Sequence, residues 1–298
     1  MPVLGLQSSS LNIPSYGRVS NQANVHETIV VDFEAPEHFE FGVTAPIWDA
    51  ASTHGSVKAG YCLFEPSIDN VHGGAQSAKL ALLQPDIDER RRLHFEHRWS
   101  FDDKHFWTVA WYYLPTDFVG VDAEWHEILR CATTYMHRKG KPWTFDPNNY
   151  EWWKASLHLT PHNDRFKIFA AIGLGQVDND GDGVNDYPGG PGFVGRRLVY
   201  SVDTIGRGEW NKLVTYVYRD KEHGVFQFWL NDVLQWDEGE IDTLGISFER
   251  MQYAYEHPEI YSMARVTSGI SLYTGIGGTP KTVYFDDVIL SNNTKLAY

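Results

Sequence analysis

The chain has 298 residues, of which 42% are hydrophobic and 21% are charged, and its formal net charge is −14. This acidic excess argues against a general nucleic-acid partner or an anionic membrane, because both require a positive protein field. No apolar run approaches the roughly 20 residues of a membrane-spanning helix, so we expect no membrane partner. The composition is that of a globular protein.

The periodicity along the chain predicts an all-β protein. Residues 1–27 are rich in Ser, Asn and Gln without periodicity and predict an extended or poorly ordered lead-in, and residues 28–298 are expected to form a single domain. Apolar or alternating runs predict strands at 28–34, 77–82, 106–115, 155–160, 165–172, 197–202, 212–219, 225–230, 269–273 and 282–290. Residues 249–257 are the best helix candidate. About a dozen strands separated by turns predict a two-sheet β-sandwich.

The segment at 90–99, RRRLHFEHRW, is the most polar of the predicted strands. Strand alternation predicts two faces, one with Arg92, His94, Glu96 and Arg98 and the other with Leu93, Phe95, His97 and Trp99. An unpaired charge in a low-dielectric interior costs several kcal/mol, so the first face is expected to line a wet groove. The alternative is a solvated outer strand whose charges pair only with neighbours.

A second strand with charged residues is predicted at 124–132, EWHEILRCA. Alternation predicts one face with Glu124, His126, Ile128 and Arg130, and the opposite face with Trp125, Glu127, Leu129 and Cys131. Cys62 and Cys131 are the two cysteines of the chain, and the sequence leaves open a disulfide or two buried thiols. We expect most of the aromatic residues, including Trp107, Trp111 and Trp125, to be core.

An acidic loop at 178–189 has the spacing of a calcium site. Asp178, Asp180 and Asp182 fall at positions 1, 3 and 5, Gly183 at position 6, Val184 at position 7 and Asp186 at position 9. Four carboxylates this close repel one another unless a cation binds, so we predict Ca2+ with a structural role. Position 12 is Gly189 and no helices flank the loop, which resembles dockerin-type and thrombospondin-type loops. Such a site suits a secreted protein, although no signal peptide is visible.

Several phrases together resemble the jelly-roll polysaccharide lyases of the heparin-lyase, glucuronan-lyase and alginate-lyase type. They are DFE at 32–34, GGAQSAKLAL at 73–82, RRLHFE at 91–96, FWTVAWYYLPTDF at 106–118, GEWNKLVTYV at 208–217, VFQFWLNDVL at 225–234, GISLY at 269–273 and VYFDDVIL at 283–290. The resemblance spans residues 30–290 in order. It implies a concanavalin A-like jelly roll with a concave groove.

The resemblance also implies a set of catalytic strands. In those families a concave sheet carries Arg-x-Glu, Gln-x-His and Lys-x-Gly-x-Tyr strands. Here the first is matched from Arg92 to Glu96. The second departs, because Arg130-Cys131-Ala132 lies near the expected Gln-x-His, and in the third Thr267 replaces the lysine while Gly269 is kept and Tyr273 is shifted.

We therefore predict an enzyme that cleaves an acidic, uronic-acid-containing polysaccharide by β-elimination. Such an enzyme neutralises the uronate carboxylate, removes the proton beside it and protonates the leaving oxygen. The predicted site consists of Arg92 and Arg130 for the uronate, His126 or His158 as base, Tyr273 as acid, and His94 on the same groove face.

Two other functions fit the same fold. A glycoside hydrolase needs two carboxylates in the groove, and Glu96 with Glu124 are the natural pair. A carbohydrate-binding protein without catalytic activity needs only aromatic residues and the calcium loop. We rank the lyase first, the hydrolase second and the binding protein third, and the sequence does not identify the polymer or the oligomeric state.

Overall fold

The computed structural model describes residues 27–39, 50–51, 62–83, 91–118, 126–140, 150–174, 194–241, 243–244, 248–274 and 281–296. For some strand residues, Arg92 and Tyr273 among them, it describes the backbone alone. In chain order the strands are β1 (Thr28–Val31), β2 (Ala50–Ala51), β3 (Cys62–Ser67), β4 (Ser77–Leu82), β5 (Arg91–Trp99), β6 (His105–Tyr113), β7 (His126–Arg138), β8 (Tyr150–His162), β9 (Arg165–Leu174), β10 (Val194–Ile205), β11 (Trp210–Tyr218), β12 (Gly224–Leu230), β13 (Val233–Ile241), β14 (Tyr261–Thr274) and β15 (Lys281–Ser291).

These strands form two antiparallel sheets, and the predicted two-sheet β-sandwich of the jelly-roll class is confirmed. The eight-stranded sheet has the order β13-β12-β11-β6-β15-β4-β3, with β1 also paired to β15. The seven-stranded sheet has the order β10-β9-β8-β7-β14-β5-β2. The chain crosses between the sheets after β1, β2, β4, β5, β6, β10, β13 and β14, so strands distant in sequence become neighbours. Through these crossings β14 lies between β5 and β7.

The hydrophobic core lies between the sheets and follows from strand alternation. In β12 Phe226, Phe228 and Leu230 are buried, and the residues between them are partly exposed. Phe95 of β5 contributes to the same core from the other sheet. Because alternate side chains point to opposite faces, each sheet buries one face in this core and leaves its other face for other contacts.

Cys131 of β7 is a free thiol in this core, which excludes a disulfide with Cys62. Its burial raises the pKa of the thiol to about 12, so the group stays protonated at neutral pH.

The predicted strands all lie within strands of the structure or overlap them, but β2, β3 and β13 were not predicted individually. Strand β13 has the sequence VLQWDEGEI, in which only Gln235 and Trp236 are buried. It is an edge strand that pairs with β12 on one side, so it needs few apolar residues and lacks the alternating signal. The predicted helix is confirmed as α1 (Phe248–Glu256), and a short 3-10 turn occurs at Pro36–Phe39. With nine residues, α1 is too short to span a membrane, and no other described helix is longer.

The expectation that Trp107 and Trp111 belong to the core is wrong. Phe106, Ala110 and Tyr112 take the inward positions of β6, so the two tryptophans point outward from the eight-stranded sheet and are partly exposed. The Trp107 ring lies 4.4 Å from Tyr216, and the Trp111 ring stacks on His72 at 3.7 Å. Trp125 lies outside the described residues.

Candidate functional site

The polar residues predicted on β5 meet others on the outer face of the seven-stranded sheet. Strand β5 contributes His94 and Glu96, and the core residues Phe95 and Trp99 point to the opposite face, as predicted. In the ladder with β14, Ser271 lies opposite His94 and Gly269 lies opposite Glu96. In the next ladder Gly269 lies opposite Arg130 of β7. We call this outer face, with Glu96 and Arg130 at its centre, the site face.

The pairing of β7 with β8 is interrupted twice, which changes the predicted faces. Glu127 pairs with His158, Arg130 with Ser156 and Thr133 with Lys154. The ladder skips Ile128 and Cys131, so each is an extra residue that shifts the alternation by one position. Glu127 therefore lies on the same face as Arg130, and the predicted separation of these two residues is wrong. Sequence alternation assumes an unbroken ladder, and bulges are not visible in it.

The Arg130 side chain is bonded to three groups on this face. Its Nε donates to Oε1 of Glu127 at 2.6 Å, and its Nη1 donates to Oε1 of Glu96. Its Nη2 donates to Nε2 of His94 at 3.0 Å. All four residues at these contacts are at most 3% exposed, so the contacts are made away from water. A buried arginine needs such partners, because an unpaired buried charge is costly.

The bond from Arg130 fixes the protonation of His94. A guanidinium only donates, so Nε2 of His94 must accept and carries no proton. The proton is on Nδ1, which donates to the Ser271 hydroxyl at 2.6 Å. His94 is therefore neutral, and its lone pair is occupied by Arg130.

Gly269 makes the contact between Glu96 and Arg130 possible. It lies between them in the two ladders and has no side chain to separate them. A Cβ atom at this position would lie 1.9 Å from the carbonyl oxygen of Phe95, so no other residue fits this backbone. Gly269, which matches the glycine of the Lys-x-Gly-x-Tyr pattern, thus has a steric role.

Glu127 is shared between two cations. Besides its bond from Arg130, its Oε2 accepts from Nζ of Lys154 at 2.5 Å. Burial alone would raise the pKa of the Glu127 carboxyl, but the charges of Lys154 and Arg130 outweigh it and hold the pKa well below 4.5. We call the five residues Arg130, Glu96, Glu127, His94 and Lys154 the Arg130 cluster.

The Arg130 cluster explains why the predicted wet groove is not found at these positions. Its two carboxylates balance its two cations, and its histidine is neutral, so the cluster carries no net charge. His94 and Glu96 are 0% and 1% exposed. The charged face predicted from β5 is thus buried because its partners come from β7 and β8, which the sequence of β5 alone does not contain.

His158 lies beside the Arg130 cluster on β8. Its Nε2 lies 2.8 Å from the hydroxyl of Ser156, and its ring stacks on Phe169 of β9 at 5.0 Å with an angle of 13° between the planes. The residue is 2% exposed and is paired in register with Glu127. Its imidazole therefore belongs to the site face, as predicted.

His126 lies on the opposite face from Arg130, in contrast to the prediction. It pairs with Leu159, and its Nδ1 accepts from Nζ of Lys281 at 2.7 Å, on β15 of the other sheet. Burial and the Lys281 charge lower the pKa of His126 to about 3, so the ring stays neutral. The bulge at Ile128 separates the faces of His126 and Arg130.

The other predicted residues are placed only in part. Arg92 and Tyr273 are paired in the β5/β14 ladder, two positions from the pair of His94 and Ser271. Glu124 and the whole calcium-type loop lie outside the described residues, including Asp178, Asp180, Asp182, Val184 and Asp186. Within the part of the chain that the structure describes, no group of three or more His, Cys, Asp and Glu side chains is arranged to hold a metal ion.

Sequence analysis missed Lys154, and it gave Glu127 no role in the site. The signal for Lys154 was present, because Lys154, Ser156 and His158 alternate on one face of β8. No such pattern indicated Glu127, because the face on which Glu127 lies depends on the bulge at Ile128.

The fold is similar to that of a solved polysaccharide lyase. The endo-β-1,4-glucuronan lyase of the fungus Trichoderma reesei superposes with a TM-score of 0.53 at 13% identity, covering 83% of this chain and 91% of that one. An alginate lyase from Aplysia kurodai gives a TM-score of 0.48 at 10% identity, covering 76% and 86%. The chain matches no family model and no curated protein by sequence. The resemblance inferred from the sequence phrases is thus confirmed for the fold.

Proposed function

We propose that the chain is a carbohydrate-active enzyme that cleaves an acidic polysaccharide by β-elimination on the site face. The observation that carries the proposal is the charge state of Glu127, whose carboxyl is held ionised by Lys154 and Arg130. Glycoside hydrolysis requires a carboxyl group with a raised pKa that donates a proton to the leaving oxygen. A lyase requires no such carboxyl group. Glu127 is therefore not suited to be the proton donor of a hydrolase, and its lowered pKa is compatible with elimination.

Glu96, one carboxylate of the predicted hydrolase pair, forms an ion pair with Arg130 through Oε1. Its proposed partner Glu124 is outside the described residues. The fold likeness to an enzyme named as a β-1,4-glucuronan lyase supports the same choice of chemistry and of a uronate polymer. This likeness supports the proposal through the shared fold, because the two chains have similar architecture.

His158 is the base in this proposal. Of the three candidate histidines, His126 lies on the wrong face, and the lone pair of His94 is bonded to Arg130. His158 remains on the site face beside Glu127. The base takes the proton next to the uronate carboxylate, the electron pair forms the carbon–carbon double bond, and the bond to the leaving oxygen breaks.

Arg92 is the proposed partner of the uronate carboxylate. Arg130 and Lys154 are already balanced by Glu96 and Glu127, so the additional negative charge of a substrate needs a further cation. Tyr273, the proposed acid, is paired with Arg92 across the ladder, which places both at the same level of the sheet. Secretion and a structural Ca2+ in the loop at 178–189 belong to the same proposal.

The test is a panel of uronate and neutral polysaccharides, with the ultraviolet absorbance of unsaturated uronates and the reducing ends followed together. We expect both signals to rise with a uronate polymer. His158→Ala is expected to lower kcat by at least about 100-fold. The matched control is His223→Ala, which removes an exposed histidine at a turn of the other sheet and should leave kcat unchanged.

Three results would contradict this proposal. Reducing ends without absorbance would establish hydrolysis, and binding without either signal would establish a carbohydrate-binding protein. Full activity of a correctly folded His158→Ala variant would remove His158 as the base.

A further inference from the structure

A row of rings leads from His158 across the site face to the edge of the sheet. Phe169 of β9 pairs with His158, and Tyr200 of β10 pairs with Phe169. The ring centroids are 5.0 Å apart in the first pair and 5.5 Å in the second. Neighbouring strands are about 4.8 Å apart, so Tyr200 lies about 10 Å from His158, two strands away.

Exposure changes sharply along this row. His158 and Phe169 are 2% and 4% exposed, but Tyr200 is 51% exposed. A tyrosine ring that rests on a buried phenylalanine and is half open to solvent offers a fixed apolar surface with a hydroxyl at its rim. Such a surface suits the apolar side of a sugar ring, and its position at the strand edge leaves room for a polymer chain.

A lysine lies next to this ring on the same face. Lys167 is two residues before Phe169 on β9, where the ladder with β8 is unbroken, so both side chains are on the site face. It is partly buried and forms no ion pair with any described residue. Other lysines of the two sheets do form one: Lys79 with Glu65, Lys154 with Glu127 and Lys212 with Asp232.

A partly buried lysine with no carboxylate partner among the described residues is suited to accept an anion. Lys167 pairs with Thr160 on one side and Thr204 on the other, so the residues beside it in the sheet carry hydroxyl groups and no negative charge. An incoming carboxylate would meet a cation and two hydroxyl-bearing neighbours. This combination differs from the Arg130 cluster, where every cation is already balanced.

We propose that Tyr200 and Lys167 form a second subsite, which binds a uronate residue of the polymer on the β10 side of the one that reacts at His158. The tyrosine takes the face of the sugar ring, and the lysine takes its carboxylate. The identity of the polymer in this inference rests on the proposed function. The subsite adds binding energy away from the reacting bond, so it affects KM and affinity and leaves kcat unchanged.

The experiment measures affinity and kinetics with β-1,4-glucuronan and with its carboxyl-reduced form. Tyr200→Ala and Lys167→Met are each expected to weaken glucuronan binding and raise KM on the order of ten-fold, with kcat unchanged. Tyr200→Phe keeps the ring and should retain wild-type affinity. Lys167→Met should not alter binding of the carboxyl-reduced polymer, because that polymer has no anion for the lysine.

Matched controls remove equivalent side chains elsewhere. Tyr253→Ala removes a tyrosine on α1 that is 47% exposed, and Lys139→Met removes an exposed lysine in the turn after β7. Both should leave affinity and KM unchanged. Unchanged affinity in Tyr200→Ala and Lys167→Met, or a loss of kcat alone, would overturn the subsite.

The two proposals can fail separately. A wild-type protein that binds glucuronan without cleaving it would overturn the lyase, and the affinities of the variants would still decide the subsite. A protein that cleaves glucuronan but shows no change in KM or affinity in either variant would keep the lyase and overturn the subsite. A wild-type protein that neither binds nor cleaves glucuronan or alginate would overturn both.

Discussion

Replacing Arg130 with methionine is the most direct test of the Arg130 cluster. Methionine fills part of the same volume but removes the charge and the three bonds to Glu96, Glu127 and His94. Two buried carboxylates then lose a cation. Removing one partner of a buried ion pair costs about 3–5 kcal/mol, a large fraction of the stability of a typical domain. We expect Arg130→Met to lower the free energy of unfolding by at least this amount at neutral pH.

The loss of unfolding free energy in Arg130→Met is expected to depend on pH. The pKa of Glu127 in the folded state is below its ordinary value of 4.5, so its ion pairs stabilise the fold above pH 4.5. That stabilisation is lost as the pH falls through the lower, folded-state pKa. Without Arg130 the buried carboxyls take up protons at a higher pH. The difference in stability between wild type and Arg130→Met should therefore be largest at neutral pH and shrink as the pH falls toward 4.5, where the buried carboxyls of the variant take up protons while those of the wild type stay ionised.

The assay is urea unfolding of both proteins at several pH values between neutral pH and pH 4. The control is Arg165→Met, which removes a surface arginine paired with Glu209, where both side chains are more than 40% exposed. A surface pair of this kind is worth less than about 1 kcal/mol, so this variant should be nearly as stable as wild type at every pH. Equal, pH-independent losses in Arg130→Met and Arg165→Met would refute the buried charge balance.

Two further predictions concern the backbone and the metal. Gly269→Ala should lower the free energy of unfolding, measured in urea, by about 3 kcal/mol or more, because its Cβ would meet the Phe95 carbonyl oxygen. Gly239→Ala is the control and should be neutral, because a Cβ there meets nothing within 4 Å. Similar stabilities of the two variants would contradict this packing. Ca2+ should raise the melting temperature of the wild type, and Asp180→Asn should abolish this increase. A melting temperature that changes with neither Ca2+ nor a chelator would contradict the predicted calcium site in the loop at 178–189.

The sequence predicted most of the fold because strand formation depends on local patterns. The alternation of residues 90–99 correctly predicted that Phe95 and Trp99 lie in the core and that His94 and Glu96 lie on the opposite face. Strand β13 was missed because an edge strand carries little of that pattern. The two-sheet architecture follows from the number of strands and their turns.

The partners of the site residues could not be predicted in the same way. Whether Glu127 faces Arg130 or the core depends on the extra residues Ile128 and Cys131 in one ladder, and a shift of one position moves a side chain to the opposite face. The same shift sends His126 to the core, where it meets Lys281.

The sequence by itself determined which residues could carry charge and chemistry in this protein, together with the strands that hold them. Only the tertiary structure decided which of them meet. Ser271 and His94 are 177 positions apart and bond because β14 is inserted between β5 and β7. These side chains are buried, and without water each buried charge needs a partner within the protein. Strand register, rather than distance in the sequence, determines which residue is that partner.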